Sequence, residues 1–277
     1  MDSASVLEIN VDSVIHKRMP GLYRFLPHIL VKKLEALICQ DELNSILRYS
    51  KGKTGSEFCR CCLDYLDVSY KTYGSERLPA PGDSRVIYVS NHPLGGLDGI
   101  SLICMVAALH GKEPYFVVND LLMNIEPLRS VFLPINKHGR QGRMAADSFD
   151  AAFESDRPVI IFPAGLVSRK QPDGSIADLD WKTTFVNRAI KSNRDIIPLY
   201  FDGRNSDKFY NFARMRKKLH VKFNFDMLLL PREVMWSRGK EFGIHVGPRV
   251  FSSKLRGGAC ARAESLAIRK IVYNLSR

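Results

Sequence analysis

The run Pro158-Val159-Ile160-Ile161-Phe162 is apolar at nearly every position. A strand with one wet face alternates apolar and polar residues, whereas a strand that is apolar throughout must be covered on both faces. Short strand-like runs recur at 85–90 (RVIYVS), 115–118, 196–201 (IIPLYF) and 242–246. Helical spacing fills the intervals at 98–110, 140–154, 181–191 and 205–219, and returns at 261–275. Strand, loop and helix repeated in this order predict an α/β fold, a mostly parallel sheet flanked by helices. Reactive groups in such a sheet belong beyond the carboxyl ends of its strands.

The first 80 residues have a different texture. Over 21–50, Leu22, Phe25, Leu26, Ile29, Leu30, Leu34, Leu37 and Ile38 recur three and four apart, among Lys17, Arg18, Arg24, Lys32 and Lys33. A basic amphipathic stretch of this kind suits an anionic membrane surface, and equally a packing helix with a solvated basic face. A second helical run is expected over 57–73, and the Pro- and Gly-rich segment 78–83 breaks the pattern. The expected organisation is a helical, membrane-associating segment at 1–80, an α/β domain at 81–250 and a terminal helix at 251–277.

Charge and cysteine usage narrow the function classes. Lys and Arg number 41 against 29 Asp and Glu, a net charge of +12 that asks for an acidic partner or an anionic surface. Nucleic acid is not expected, since no RNP pattern, helix-turn-helix or zinc finger accompanies the charge. The longest nearly uncharged apolar stretch, 99–109, falls well short of the roughly 20 residues a spanning helix needs. The amino terminus lacks the basic and apolar regions of a signal peptide. Cys39, Cys59, Cys61, Cys62, Cys104 and Cys260 have no disulfide-framework spacing, which fits a reducing cytosol. The Cys59-Arg60-Cys61-Cys62 cluster has no second pair to complete a metal site and reads as helix packing.

The chemistry concentrates in two loops. In Ser90-Asn91-His92-Pro93-Leu94-Gly95-Gly96-Leu97-Asp98, a strand ends, a Gly-rich loop follows and a helix begins. Gly95 and Gly96 allow the loop to fold back so that the Asp98 carboxylate reaches the His92 imidazole. A histidine oriented by a carboxylate is a candidate general base. Taken singly, Asp98 also reads as a helix cap and His92 as a loop histidine. The second loop, Phe162-Pro163-Ala164-Gly165-Leu166-Val167-Ser168-Arg169, places a turn, a hydroxyl and a cation at the end of the apolar strand. Such a set can hold an anionic head group.

These residues resemble the PlsC-type glycerolipid acyltransferases. Asn91-His92 with Asp98 looks like that family's first motif. Phe162-Pro163-Ala164-Gly165 resembles its Phe-Pro-Glu-Gly motif. Residues 132–137 (FLPINK) lie where a Phe-containing motif with a basic end is expected, and Ile197-Pro198-Leu199 resembles its late Val-Pro motif. The likeness spans roughly residues 80 to 250. Five residues separate His92 from Asp98 where the family has four, and Ala164 stands in place of the motif's Glu. The Pro-Leu-Gly-Gly-Leu-Asp run, the Val-Ser-Arg after the second motif and Asp202-Gly203-Arg204-Asn205-Ser206 look more like a bacterial subgroup. That subgroup acylates lyso forms of ornithine or glycine lipids.

The resemblance implies direct acyl transfer to a lysolipid hydroxyl, with His92 as base and Asp98 as its orienting partner. Asn91, Gly95, Gly96, Lys137, Arg140, Phe162, Pro163, Gly165, Ser168 and Arg169 are the expected substrate contacts. Arg169, with Lys137 or Arg140, is expected on the acceptor's anion, and amides near Gly95 or Gly165 on the oxyanion. No metal and no cofactor are implied beyond the acyl thioester, carried by acyl carrier protein or, second, by coenzyme A. The expected acceptor is a lyso-amino-acid lipid, with lysophosphatidic acid as the alternative and a non-catalytic lipid-binding protein on the same fold as the rival. The expected location is the cytoplasm, peripheral on the inner face of the cell membrane.

Overall fold

The computed structural model describes residues 8–18, 20–135, 140–219 and 224–276, with backbone alone at 18, 22, 121 and 140–146. Its helices are α1 Val11–Arg18, α2 Pro20–Tyr23, α3 His28–Leu37, α4 Gln40–Tyr49, α5 Gly55–Leu66, α6 Leu97–His110, α7 Arg140–Glu154, α8 Thr184–Lys191, α9 Asp207–Lys218, α10 Leu230–Trp236 and α11 Ala261–Asn274. The strands are β1 Ser69–Tyr73, β2 Val86–Ser90, β3 Tyr115–Val118, β4 Phe132–Pro134, β5 Val159–Ile161, β6 Arg169–Lys170, β7 Ile176–Ala177, β8 Asp195–Asp202 and β9 Glu241–Val246.

Seven strands form one sheet in the order β1-β9-β8-β2-β5-β3-β4. From β8 to β4 every pairing is parallel. β9 joins β8 antiparallel and carries β1 beside it. The sheet is mostly parallel, as expected. β2 lies at its centre, and its side chains alternate between two cores. Val86 and Tyr88 face α5 and α6, while Ile87 and Val89 face α7, α8 and α11. This is why β2 and β5 read as continuous apolar runs. Because β2 and β5 are parallel neighbours, in register from Ile87 beside Val159 to Val89 beside Ile161, the loops that leave their carboxyl ends meet. The two chemically interesting loops are adjacent for that reason.

The amino-terminal third departs from expectation. The 57–73 run is not one helix. α5 stops at Leu66, Asp67 takes a left-handed φ of 51°, and residues 69–73 turn into the edge strand β1. Tyr70, Thr72 and their neighbours alternate with period two, and β1 finds a partner in β9 that helical spacing could not reveal. The expected boundary at residue 80 therefore cuts a strand away from its sheet. The 21–50 stretch breaks into α2, α3 and α4, the last two separated by Cys39 at φ 53°. In α5, Cys59 and Cys62 are buried in the core, and burial pushes the Cys62 thiol up to about 12, an inert packing group.

Candidate active site

β2 delivers Asn91 and His92 to the sheet's carboxyl edge. The Asn91 side chain ties this point to β8: Nδ2 donates to Phe201 O at 2.9 Å, and Phe201 N donates to Oδ1 at 2.7 Å. The chain then turns through Gly95, at φ +80°, where a Cβ would lie 2.6 Å from Val167 Cγ2. Only glycine fits there. The turn returns Asp98 to the histidine, and His92 Nδ1 lies 2.8 Å from Asp98 Oδ2. The fifth intervening residue does not prevent the contact.

Asp98 is fully buried and does more than orient the ring. Its carboxylate also accepts from Leu94 N at 2.9 Å, Gly95 N at 3.3 Å, Gly96 N at 3.0 Å and Gly99 N at 2.9 Å. Burial alone would raise its pKa, but the His92 charge, the imidazole hydrogen bond and the loop amides outweigh burial and hold it below the usual carboxylate value. The carboxylate is therefore anionic at neutral pH, and His92 donates to it through Nδ1, leaving Nε2 with a free lone pair. Phe162 fixes the plane of the ring. It stacks on His92 with centroids 4.0 Å apart and 18° between planes, and Phe116 meets Phe162 edge-on.

Beside the imidazole lies an apolar cavity of about 460 Å³. Gly95, Gly96, Gly99, Pro163 and Gly165 rim it with His92, while Ile103, Phe116, Leu128, Phe132, Phe149 and Phe185 line it. The arrangement is a carboxylate-bound imidazole beside a largely apolar chamber. That is the equipment for transferring an apolar chain to a hydroxyl.

A family model described as "Acyltransferase" matches residues 13–277 of this chain. The chain belongs to the acyltransferase family. It is 41% identical over 247 residues to the lyso-glycine lipid O-acyltransferases of Phocaeicola vulgatus and of Bacteroides thetaiotaomicron, spanning 89% of this chain and 88% and 90% of theirs. The crystal structure of the 1-acyl-sn-glycerophosphate acyltransferase PlsC from Thermotoga maritima aligns over 95% of this chain and 90% of its own, at 16% identity and a TM-score of 0.47.

The acyltransferase places several of its expected substrate residues in structural work instead. Both polar atoms of Asn91 are spent on β8. Ser168 Oγ donates to Asp178 Oδ1 at 2.6 Å, and Ser168 N donates to His92 O at 2.8 Å, so it holds the histidine's backbone. Arg169 turns away from the cavity. Its Nη2 lies 2.6 Å from Oδ2 of the buried Asp226, whose Oδ1 is 2.6 Å from Arg216 Nε. A guanidinium so engaged is not free for a substrate anion. The amides of Gly95 and Gly96 are occupied by Asp98, and Gly165 N donates to Phe162 O at 3.0 Å, so these three amides are engaged within their own loops. Lys137 lies outside the described residues, as does the side chain of Arg140.

Two residues of the acyltransferase site carried no signal that the sequence reading used. Asp178 accepts from His92 N at 3.1 Å and from Trp181 Nε1 at 2.8 Å, bracing the loop from below. Burial raises its pKa, against the pull of Ser168, Trp181 and His92. Lys182 stands at the cavity mouth, with its N–H on Pro163 O at 3.1 Å. An Asp followed four residues later by a Lys, 16 and 20 residues after Phe162, belongs to no pattern that announces itself in one sequence.

Proposed function

We propose that this acyltransferase moves a fatty acyl group from an acyl thioester to the hydroxyl of a lyso-amino-acid lipid, with a lyso-glycine lipid as the acceptor. The observation that carries the reading is the pairing of the His92–Asp98 contact at 2.8 Å with 41% identity, over most of both chains, to enzymes of that name. The acyl chain of the thioester lies in the apolar cavity with its carbonyl beside His92. Nε2 takes the hydroxyl proton as the acceptor oxygen forms its bond to the carbonyl carbon. The carbon–sulfur bond then breaks, and the imidazolium returns the proton to the leaving thiolate. Asp98 stabilises the imidazolium between these steps. Acyl carrier protein is the favoured donor and coenzyme A thioester the second. An acidic carrier suits the net charge of +12 and the exposed Arg214, Lys217 and Lys218 of α9.

The test is acylation by the purified protein of lyso-glycine lipid, lyso-ornithine lipid and lysophosphatidic acid, each with both donors, read by mass spectrometry of the product ester. The expected result is the highest kcat/KM on lyso-glycine lipid. Faster turnover of lysophosphatidic acid overturns the acceptor assignment, and lipid binding without ester formation overturns the reaction.

We further propose that the enzyme works on the inner face of the cell membrane through its amino-terminal helices. Among the described residues no helix is long and apolar enough to cross a bilayer. Phe25 is 84% exposed and Ile29 64%, with Lys17, Arg24 and Lys33 exposed around them. Seating two large apolar side chains in a membrane interface is worth about 1.5–3 kcal/mol each. Phe25→Ser with Ile29→Ser should therefore weaken co-sedimentation with anionic vesicles at least tenfold. High salt or carbonate should release the wild type from membranes. Retention through both washes, or unchanged sedimentation of the double variant, overturns this contact.

A further inference from the structure

A second, shallow cavity of about 440 Å³ opens beside the apolar one, lined by Asp180, Trp181, Lys182, Thr183, Thr184, Arg262 and Leu266. Lys182 and Thr184 line both, so the two spaces are neighbours that share these two residues. We propose that Lys182 and Arg262 bind the acceptor's carboxylate in this outer cavity, a reading that rests on the function proposed above.

Lys182 is held in position for this. Its backbone N–H is anchored on Pro163 O at 3.1 Å, and its Nζ lies 3.0 Å from where a Cβ on Gly165 would stand. The lysine therefore lies across the turn whose first residue, Phe162, stacks on the catalytic imidazole. Arg262 enters from the first turn of α11. Both side chains are solvent-accessible, and among the described residues neither pairs with a carboxylate. That separates them from Arg169, which Asp226 neutralises.

The charge of the outer cavity also selects its ligand. Two cations and Asp180 leave one net positive charge, which matches a monoanion such as a carboxylate better than a phosphate dianion. A glycine lipid acylated on nitrogen presents one carboxylate. With that group on Lys182 and Arg262, the acceptor lies outside the apolar cavity. The cavity stays open to the donor's chain, and the hydroxyl comes to His92 from the polar side. The same chemistry exists in a thioester donor, whose carrier arm bears a phosphodiester monoanion, so the experiment separates acceptor from donor.

Steady-state kinetics are measured on wild type, Lys182→Ala, Lys182→Arg and Arg262→Ala, varying lyso-glycine lipid and acyl donor in turn. Lys182→Ala and Arg262→Ala should each raise the acceptor KM by about tenfold or more, the factor that one hydrogen bond to a charged group is worth. The kcat and the donor KM should stay near wild type, and Lys182→Arg should keep most of the affinity. The carboxyl methyl ester of the acceptor is the second probe. Wild type should lose at least that factor on the ester, and on the ester Lys182→Ala should differ little from wild type. An unchanged acceptor KM in both Ala variants, a rise confined to the donor KM, or equal use of acid and ester by wild type each overturns the inference. A wild type that does not acylate lyso-glycine lipid at all overturns the proposed function instead.

Discussion

His92→Ala is expected to lower kcat by about 10²–10⁴-fold, the usual contribution of a positioned general base. No other imidazole or carboxylate lines the cavity among the described residues, so nothing there replaces it. The ring lies near the surface of its loop, packed on Phe162, and its removal leaves the Asp98 network with the loop amides in place. Asp98→Asn should behave differently. Oδ2 serves His92, Leu94 and Gly95, and Oδ1 serves Gly96 and Gly99, so both oxygens face donors. An amide presents an NH₂ to one of those sets. The variant should lose both turnover and stability, with the acceptor KM little changed in whatever fraction stays folded. The kcat of the double variant should be hardly below that of His92→Ala, because an orienting group has nothing left to orient.

The pH dependence follows from the same carboxylate. Asp98 is held below its unfolded value of about 3.9, so its contribution to stability is fully present above that pH and is lost as the pH falls through the folded value. Asp98→Asn should melt lower than wild type at neutral pH and lack this part of the acid dependence. A folded Asp98→Asn protein with wild-type kcat and melting temperature leaves Asp98 neither an orienting group nor the loop's anchor.

How much of this was readable in the chain depended on the range over which each signal acts. The two loops were found because strand, turn and acid follow one another within a dozen residues, and parallel pairing of β2 with β5 then brought them together. β1 was missed because its partner β9 lies some 170 residues away, and five residues of period two at a helix end look like one more turn. The pairing of Arg169 is hidden from the sequence for a similar reason. Its position after the second motif is local information, but its partner Asp226 sits in the later connection between β8 and β9. Lys182 and Asp178 are invisible in the sequence because the contacts that place them run to backbone groups of Pro163 and His92, which no side-chain motif advertises. Composition could indicate a surplus of cations but not which were already paired.

The Arg169–Asp226–Arg216 group leads to the second large expected effect. Asp226 is fully buried, and the two guanidiniums are 13% and 16% exposed. Burial presses the Arg169 pKa down, and Asp226 pulls it back. Removing the carboxylate leaves two cations facing each other out of water, so Asp226→Ala should cost about 3–5 kcal/mol of folding stability. The damage should reach the active site. The β8–β9 connection that Asp226 anchors carries Leu230, whose Cδ1 would lie 2.8 Å from a Cβ on Gly95, and Val234 beside Gly96. If it loosens, the wall behind the His92–Asp98 loop goes with it, and kcat should fall along with the urea midpoint. Replacing all three charges by apolar residues of similar volume, Arg169→Met, Asp226→Leu and Arg216→Met, removes the desolvation penalty together with the attraction. It should restore stability to near or above wild type. Activity recovering with stability in the triple variant identifies the group as a strut for the β8–β9 connection. Activity still lost in a stable triple variant would return Arg169 to the substrate. An Asp226→Ala protein within about 1 kcal/mol of wild type, the value of an exposed pair, would mean the group bears no weight.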